Sequence, residues 1–209
     1  MNSLYHDSRL RALVAAFHRI ARAKASMEAP MQCGHAGGEG WWGCKADGGC
    51  APILAAACEK LSGEARQAVV TALDDEYRAQ AFYRAVLRKF PHALPFSRFV
   101  EAEARHAAAL TGILDAYGLE APPNVHIDSA EISASAPATL AGACEAAAAA
   151  EIRNDRLYAE VLLPMVAAYP LIAAIFERLM LTSRECHLPA FRCFAEAYRM
   201  ERPLEEAQV

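Results

Sequence analysis

The sequence predicts an all-α protein: a four-helix bundle with one long crossover, preceded by a helix and a glycine- and cysteine-rich loop. Three observations predict it. Four long stretches repeat apolar residues at 3–4 spacing, the period of a buried helix face. Their links run short, long, short, which places the crossover between the second and third helices. Apolar residues make up 55% of the chain, much of it alanine and leucine, while valine and isoleucine are too sparse and unpatterned for an extensive sheet.

The 209 residues leave room for one domain with a substantial core. Residues 1–61 form an N-terminal zone, 62–199 the bundle and 200–209 a tail. The N-terminal helix, 1–25, is amphipathic and cationic, with Leu10, Leu13, Val14, Phe17 and Ile20 on one side. It suits packing on the bundle or on a second subunit, with a membrane surface as the other option. His18 and Arg19 interrupt it, so it makes a poor signal peptide. Seven of the eleven glycines then fall between Gly34 and Gly49, together with Trp41 and Trp42, a composition that cannot be helical.

The first bundle helix is expected from about Ser62 to Phe90, and PHALP turns the chain into the second, about 95–117. Gly118 supplies its C-cap. Some twenty residues with Pro122, Pro123 and Pro137 cross over to a third helix starting near Thr139. Tyr169-Pro170 turns into the fourth, which ends near Arg199. Pro164 and Pro189 lie inside helical patterns and should kink them or shift their boundaries.

Each buried stripe is apolar at its ends and polar in the middle. The stripes read Val69, Leu73, Glu76, Gln80, Tyr83, Leu87; then Phe96, Phe99, Glu103, His106, Leu110, Ile113, Tyr117. They continue as Cys144, Ala148, Glu151, Asp155, Tyr158, Leu162, Met165 and Met180, Arg184, His187, Phe191, Phe194, Tyr198. In a hairpin, residues equidistant from the turn lie side by side. Glu76 and His106 are centred on Pro91, and Glu151 and His187 on Tyr169, so one buried polar layer is expected. The halves also echo one another. Glu76-x6-Tyr83 with Glu103-x2-His106 is matched by Glu151-x6-Tyr158 with Arg184-x2-His187.

Buried carboxylates cost several kcal/mol each unless paired or metal-bound. Glu and His at i and i+3 share a helix face and can reach one ion. Mixed carboxylate and imidazole ligands suit iron or manganese, and zinc as well. The simpler alternative is a satisfied polar network in which His106 and His187 bond Glu76 and Glu151 while Arg184 bonds Asp155.

Glu76, EARH at 103–106, Glu151 and His187, in this helix order, resemble the ferritin-like family of carboxylate-bridged di-iron proteins, rubrerythrins included. Uncharacterised bacterial ferritin-like domains are the nearest in character. The resemblance covers about 62–199. It implies Glu76, Glu103, His106, Glu151 and His187 as metal ligands, Glu103 bridging, one or two iron ions, and a protein that handles oxygen, peroxide or ferrous iron. A homo-oligomer, a dimer at its simplest, and an electron-transfer partner belong to the same expectation. The alternative function is a non-catalytic bundle with one structural metal or none, serving binding or assembly.

One departure stands out. In SRECH (183–187) the position of the second motif's glutamate is Arg184. Counted in the layer, it lowers the charge of three glutamates to a sum suited to one divalent ion. Asp155 can ligate in place of the missing glutamate or neutralise Arg184, and equidistance favours the salt bridge. Tyr83 and Tyr158 are hydrogen-bond partners of the ligands, electron relays, or, more commonly for such positions, core tyrosines with a polar tip. Cys186 points off the stripe and reads as a packed thiol.

Cys33, His35, Cys44 and Cys50 offer a weaker second metal site, for zinc or an iron–sulfur centre. They contain no C-x-x-C pair, and a Cys44–Cys50 disulfide or free thiols are the simpler readings. Seven cysteines without an export signal point to a reducing cytoplasm. A net charge of −4 argues against nucleic-acid binding, and no run is long and apolar enough to span a bilayer.

Overall fold

The computed structural model describes residues 60–200, and every regular element among them is helical. Helix α1 spans Gly63–Lys89 and α2 Phe96–Ala116. A short α3, Ala130–Ser135, lies in the crossover, where only irregular chain was expected. Helix α4, Leu140–Arg156, runs on through a π-helical segment, π1, Leu157–Leu162, into a single turn α5, Leu163–Met165. Helix α6, Pro170–Thr182, continues through π2, Ser183–His187, into α7, Leu188–Met200. None of these helices is long and apolar enough to cross a membrane. The N-terminal helix, the loop with Cys33, His35, Cys44 and Cys50, and the tail from 201 lie outside the described residues.

The helix ends follow local chemistry. Ser62 Oγ accepts from the Ala65 N–H at 3.0 Å and Thr139 Oγ1 from the Gly142 N–H at 3.1 Å, capping α1 and α4. Gly118 sits at φ +68°, in the left-handed region that stops α2. Its N–H donates to the Asp115 carbonyl and that of Leu119 to the Leu114 carbonyl, a Schellman closure. The Tyr169 hydroxyl accepts from the Ser62 N–H at 2.8 Å and donates to the Lys60 carbonyl at 3.1 Å, joining the α5–α6 turn to the start of α1.

Helix α1 packs chiefly on α2, and α4 chiefly on α7. The crossover is strapped to α1: His126 Nε2 meets Asp74 Oδ1 at 2.6 Å, Arg88 donates to Ser133 Oγ at 2.7 Å, and Lys89 donates to the Ala136 carbonyl. The core falls into two apolar slabs. One holds Leu73, Leu110, Ile113, Tyr158, Leu162 and Phe176; the other holds Tyr83, Phe96, Phe99, Cys144 and Phe191.

Both prolines act by widening the helix. Pro164 and Pro189 each stand two residues beyond the end of a π segment. Proline has no N–H, and its ring clashes with the carbonyl four residues back. A turn closed by i→i+5 bonds takes in one extra residue and relieves that clash. The Leu163 N–H accordingly bonds the Tyr158 carbonyl, and the Leu188 N–H the Ser183 carbonyl.

Candidate metal centre

Seven polar or charged residues are buried among the described ones: Glu76, Gln80, Glu103, His106, Glu151, Ser183 and His187. Five are the ligands expected from sequence. Glu76 comes from α1, Glu103 and His106 from one face of α2, Glu151 from α4, and His187 from the end of π2. They lie between the two apolar slabs, as the stripes require.

Glu103 is the centre of the group. Its Oε2 lies 2.9 Å from His106 Nδ1 and its Oε1 lies 3.2 Å from His187 Nδ1. His106 Nδ1 is also 3.2 Å from Glu76 Oε2, and His187 Nδ1 is 3.4 Å from Glu151 Oε1. The two imidazoles are near parallel, with centroids 5.8 Å apart. Two triads result, Glu76–Glu103–His106 and Glu103–Glu151–His187. In each, one ligand atom per residue lies within 4.8 Å of the others.

His187 is 0% exposed, and neither of its ring nitrogens makes a hydrogen bond. Two carboxylate oxygens are in ion-pair range of Nδ1, yet neither is aligned to accept its proton. The ring is held instead by packing on Phe99, centroids 4.2 Å apart. A buried imidazole left unbonded costs about 1–3 kcal/mol per group. A cation shared with the facing carboxylates would satisfy Nδ1, so the donor set fits a metal ion.

The groups are charge-coupled. Burial pushes Glu76 up to about 8, against the opposing pull of His106. Burial alone would depress His106, but the Glu76 and Glu103 carboxylates outweigh it and push it up to about 9. Glu103 and Glu151 likewise raise His187 well above the ordinary histidine range. Burial opposes ionisation of Glu103 too, yet His187 and His106 hold it well below the usual carboxylate range.

The tyrosines are hydrogen-bond partners of the candidate ligands, and they cross between the halves. Tyr83 of α1 donates to Glu151 Oε1 at 2.7 Å, and Tyr158 of π1 donates to Glu76 Oε1 at 3.2 Å. Burial, followed by the carboxylate each one faces, raises both phenols well above their ordinary range, so they remain donors. The internal echo is therefore spatial as well as sequential.

Arg184 does not lie in the layer. Its guanidinium Nε donates to Asp155 Oδ1 at 2.8 Å, and the pair sits at the surface with side chains 48% and 26% exposed. The salt bridge expected from equidistance forms, but neither residue belongs to the buried stripe. The stripe of the fourth helical stretch runs through Leu179, Ser183, His187, Phe191 and Ala195, all buried, in place of Met180 and Arg184. The extra residue of π2 explains the correction: across a π turn it is the residue four before His187, Ser183, that shares its face. The charge sum that included Arg184 is corrected with it. The layer carries three glutamates without the arginine. The same effect of π1 buries Val166 in place of Met165.

A cavity of about 420 Å³ opens from the surface between α1 and α4 onto Glu76, Glu103, Glu151 and Ser183. Sequence reasoning missed several polar residues in its wall, Asp75 and Asn154 among them. Asp75 accepts from Asn154 Nδ2 at 2.6 Å and is raised above the usual carboxylate range, chiefly by burial. The signal was present: Asp75 adjoins Glu76, and Asn154 stands three residues after Glu151. Cys186 is a free, half-buried thiol and belongs to neither triad. Comparison of the chain with protein-family models, curated proteins and solved structures finds no match.

Proposed function

We propose that this protein is a ferritin-like four-helix bundle that binds two divalent transition ions and works as an iron-dependent oxidoreductase on oxygen, peroxide or ferrous iron. Helices α1, α2, α4–π1–α5 and α6–π2–α7 are its four members, with the crossover between the second and third. Glu76, Glu103 and His106 hold one ion; Glu103, Glu151 and His187 hold the other. The observation that carries this reading is Glu103, whose two carboxylate oxygens each face a different buried imidazole. Three carboxylates and two imidazoles suit iron first, with manganese or zinc as substitutes. Bound iron would supply one-electron redox chemistry and Lewis acidity. The chain fixes the ligands through packing and through the Tyr83 and Tyr158 hydroxyls; the apolar slabs close the layer above and below, and the cavity between α1 and α4 is its opening to the surface. A cytoplasmic homo-oligomer served by an electron-transfer partner completes the proposal.

A second reading, a bundle with one structural ion or none, draws support from the imidazoles, whose facing carboxylates favour their charged form. His106 and His187, both raised, balance much of the carboxylate charge on their own. The readings separate on loading the protein with ferrous iron without oxygen, then mixing with oxygen or peroxide. The oxidoreductase reading expects ferric absorption to rise faster than for free ferrous ion, and Glu103→Ala to abolish the difference. Bound iron that is inert to both oxidants leaves only the structural role.

A further inference from the structure

The cavity beside the layer is larger than oxygen or peroxide requires. At about 420 Å³ it falls among pockets that enclose organic molecules of moderate size. Phe82, Ile132, Ala146 and Ala150 supply apolar wall, and Glu103 closes the inner end. Two arginines complete the wall, Arg78 from α1 and Arg153 from α4, both exposed and so at its outer end. They stand at equivalent places in the two halves, each two residues beyond a proposed ligand: Glu76-Tyr-Arg78 and Glu151-Ile-Arg153. Arg78 is held by Asp74 at 3.2 Å, while Arg153 pairs with no carboxylate among the described residues.

The inner end is acidic, with Asp75, Glu76, Glu103 and Glu151, so an anionic group is favoured only at the outer end, where Arg153 is the unpaired cation among the described residues and Arg78 is shared with Asp74. Guanidinium groups bind carboxylate and phosphate through paired N–H donors. We propose that the cavity binds the oxidoreductase's organic substrate, a molecule with an apolar body and one carboxylate or phosphate group. The anionic group rests at Arg78 and Arg153, and the body lies between Phe82, Ile132, Ala146 and Ala150. Its far end reaches the Glu76–Glu103–Glu151 edge of the layer. The small side chains of Ala146 and Ala150 leave the space. Ile132 places the crossover helix α3 over the cavity, and the Arg88–Ser133 and Lys89–Ala136 bonds hold that helix against α1.

This assignment rests on the metal-binding reading, and the test keeps the two apart. Full-length protein is loaded with cobalt(II), its metal content is measured, and octanoate, octyl phosphate and octan-1-ol are titrated by calorimetry and by the cobalt absorption spectrum. Octanoate or octyl phosphate is expected to bind at one per chain, at least tenfold more tightly than octanol; the stronger of the two identifies the head group. Arg78→Gln/Arg153→Gln should weaken the anionic probes tenfold or more and leave octanol unchanged. Ala146→Leu should weaken all three, and Ala150→Leu repeats the blockage one turn on if the first variant folds poorly. Cobalt content should stay at the wild-type level throughout. Equal binding of anions and alcohol, or octanoate affinity indifferent to the arginine pair, overturns the substrate assignment while the metal site stands. A chain that takes up no cobalt removes both.

Discussion

Ser183 and Arg184 are neighbours with opposite surroundings, and substitution at each tests which of them faces the layer. Ser183 is buried and lines the cavity beside Glu103; Arg184 is at the surface on Asp155. Ser183→Glu should place a fourth carboxylate by the layer and tighten metal binding. Arg184→Glu, which would make 184–187 a second Glu-x-x-His, should leave metal content unchanged. Its effect on stability should be small, because the pair is exposed and screened by solvent. Calorimetric metal titration of the two variants decides this, and tighter binding in Arg184→Glu alone contradicts the assigned face. Tyr83→Phe removes the 2.7 Å bond to Glu151 and leaves the ring packed. The expected result is about 10–100-fold weaker metal binding, as for other outer partners of ligands. Tyr158→Phe, with its 3.2 Å bond to Glu76, should act in the same direction.

At the scale of elements, the π segments set the faces of both C-terminal helical stretches. Deleting Glu185 together with Pro189→Ala should turn π2 into ordinary α-helix and leave Ser183 three residues before the imidazole. Metal content and most of the melting temperature are expected to survive. Deleting Ala190 from α7 should not be tolerated, because it rotates Phe191 and Ala195 off the core. Equal losses in the two deletions contradict this role for π2. Much of the fold was legible because long 3–4 stripes and capping residues are local signals. Ser62, Thr139 and Gly118 mark helix ends within about a residue of where they occur. The buried polar layer was legible because Glu76, Glu103, His106, Glu151 and His187 break apolar stripes at one height. The face of Arg184 was not, because a regular 3.6-residue period hides an inserted residue. Pro189 marked the place without stating how the helix adapts. The cavity depends on the distance between α1 and α4, which no local pattern records.

For the whole molecule, the proposed metal and the proton would compete for the same layer. Glu76 and His106 are raised to about 8 and about 9, from ordinary values of 4.5 and 6.5. The folded metal-free chain therefore binds protons that the unfolded chain releases. Its stability should fall as pH rises from about 4.5 to about 9. Glu103, held below its ordinary value of 4.5, contributes stability above that pH which is lost on further acidification. Metal binding at these groups would displace the protons and so would strengthen as pH rises. The gap in melting temperature between loaded and metal-free protein should thus widen from pH 5.5 to 8.5, in calorimetric scans at fixed metal concentration. A gap that narrows with pH contradicts the coupling. The central claim is that Glu103 is shared by two metal positions, and stoichiometry tests it most directly. Protein purified without chelator, saturated anaerobically with ferrous iron and desalted, should carry two ions per chain by elemental analysis. Glu103→Ala should lose both, and Glu76→Gln mainly one. Retention of no metal by the wild-type chain, or of two ions by Glu103→Ala, would contradict it.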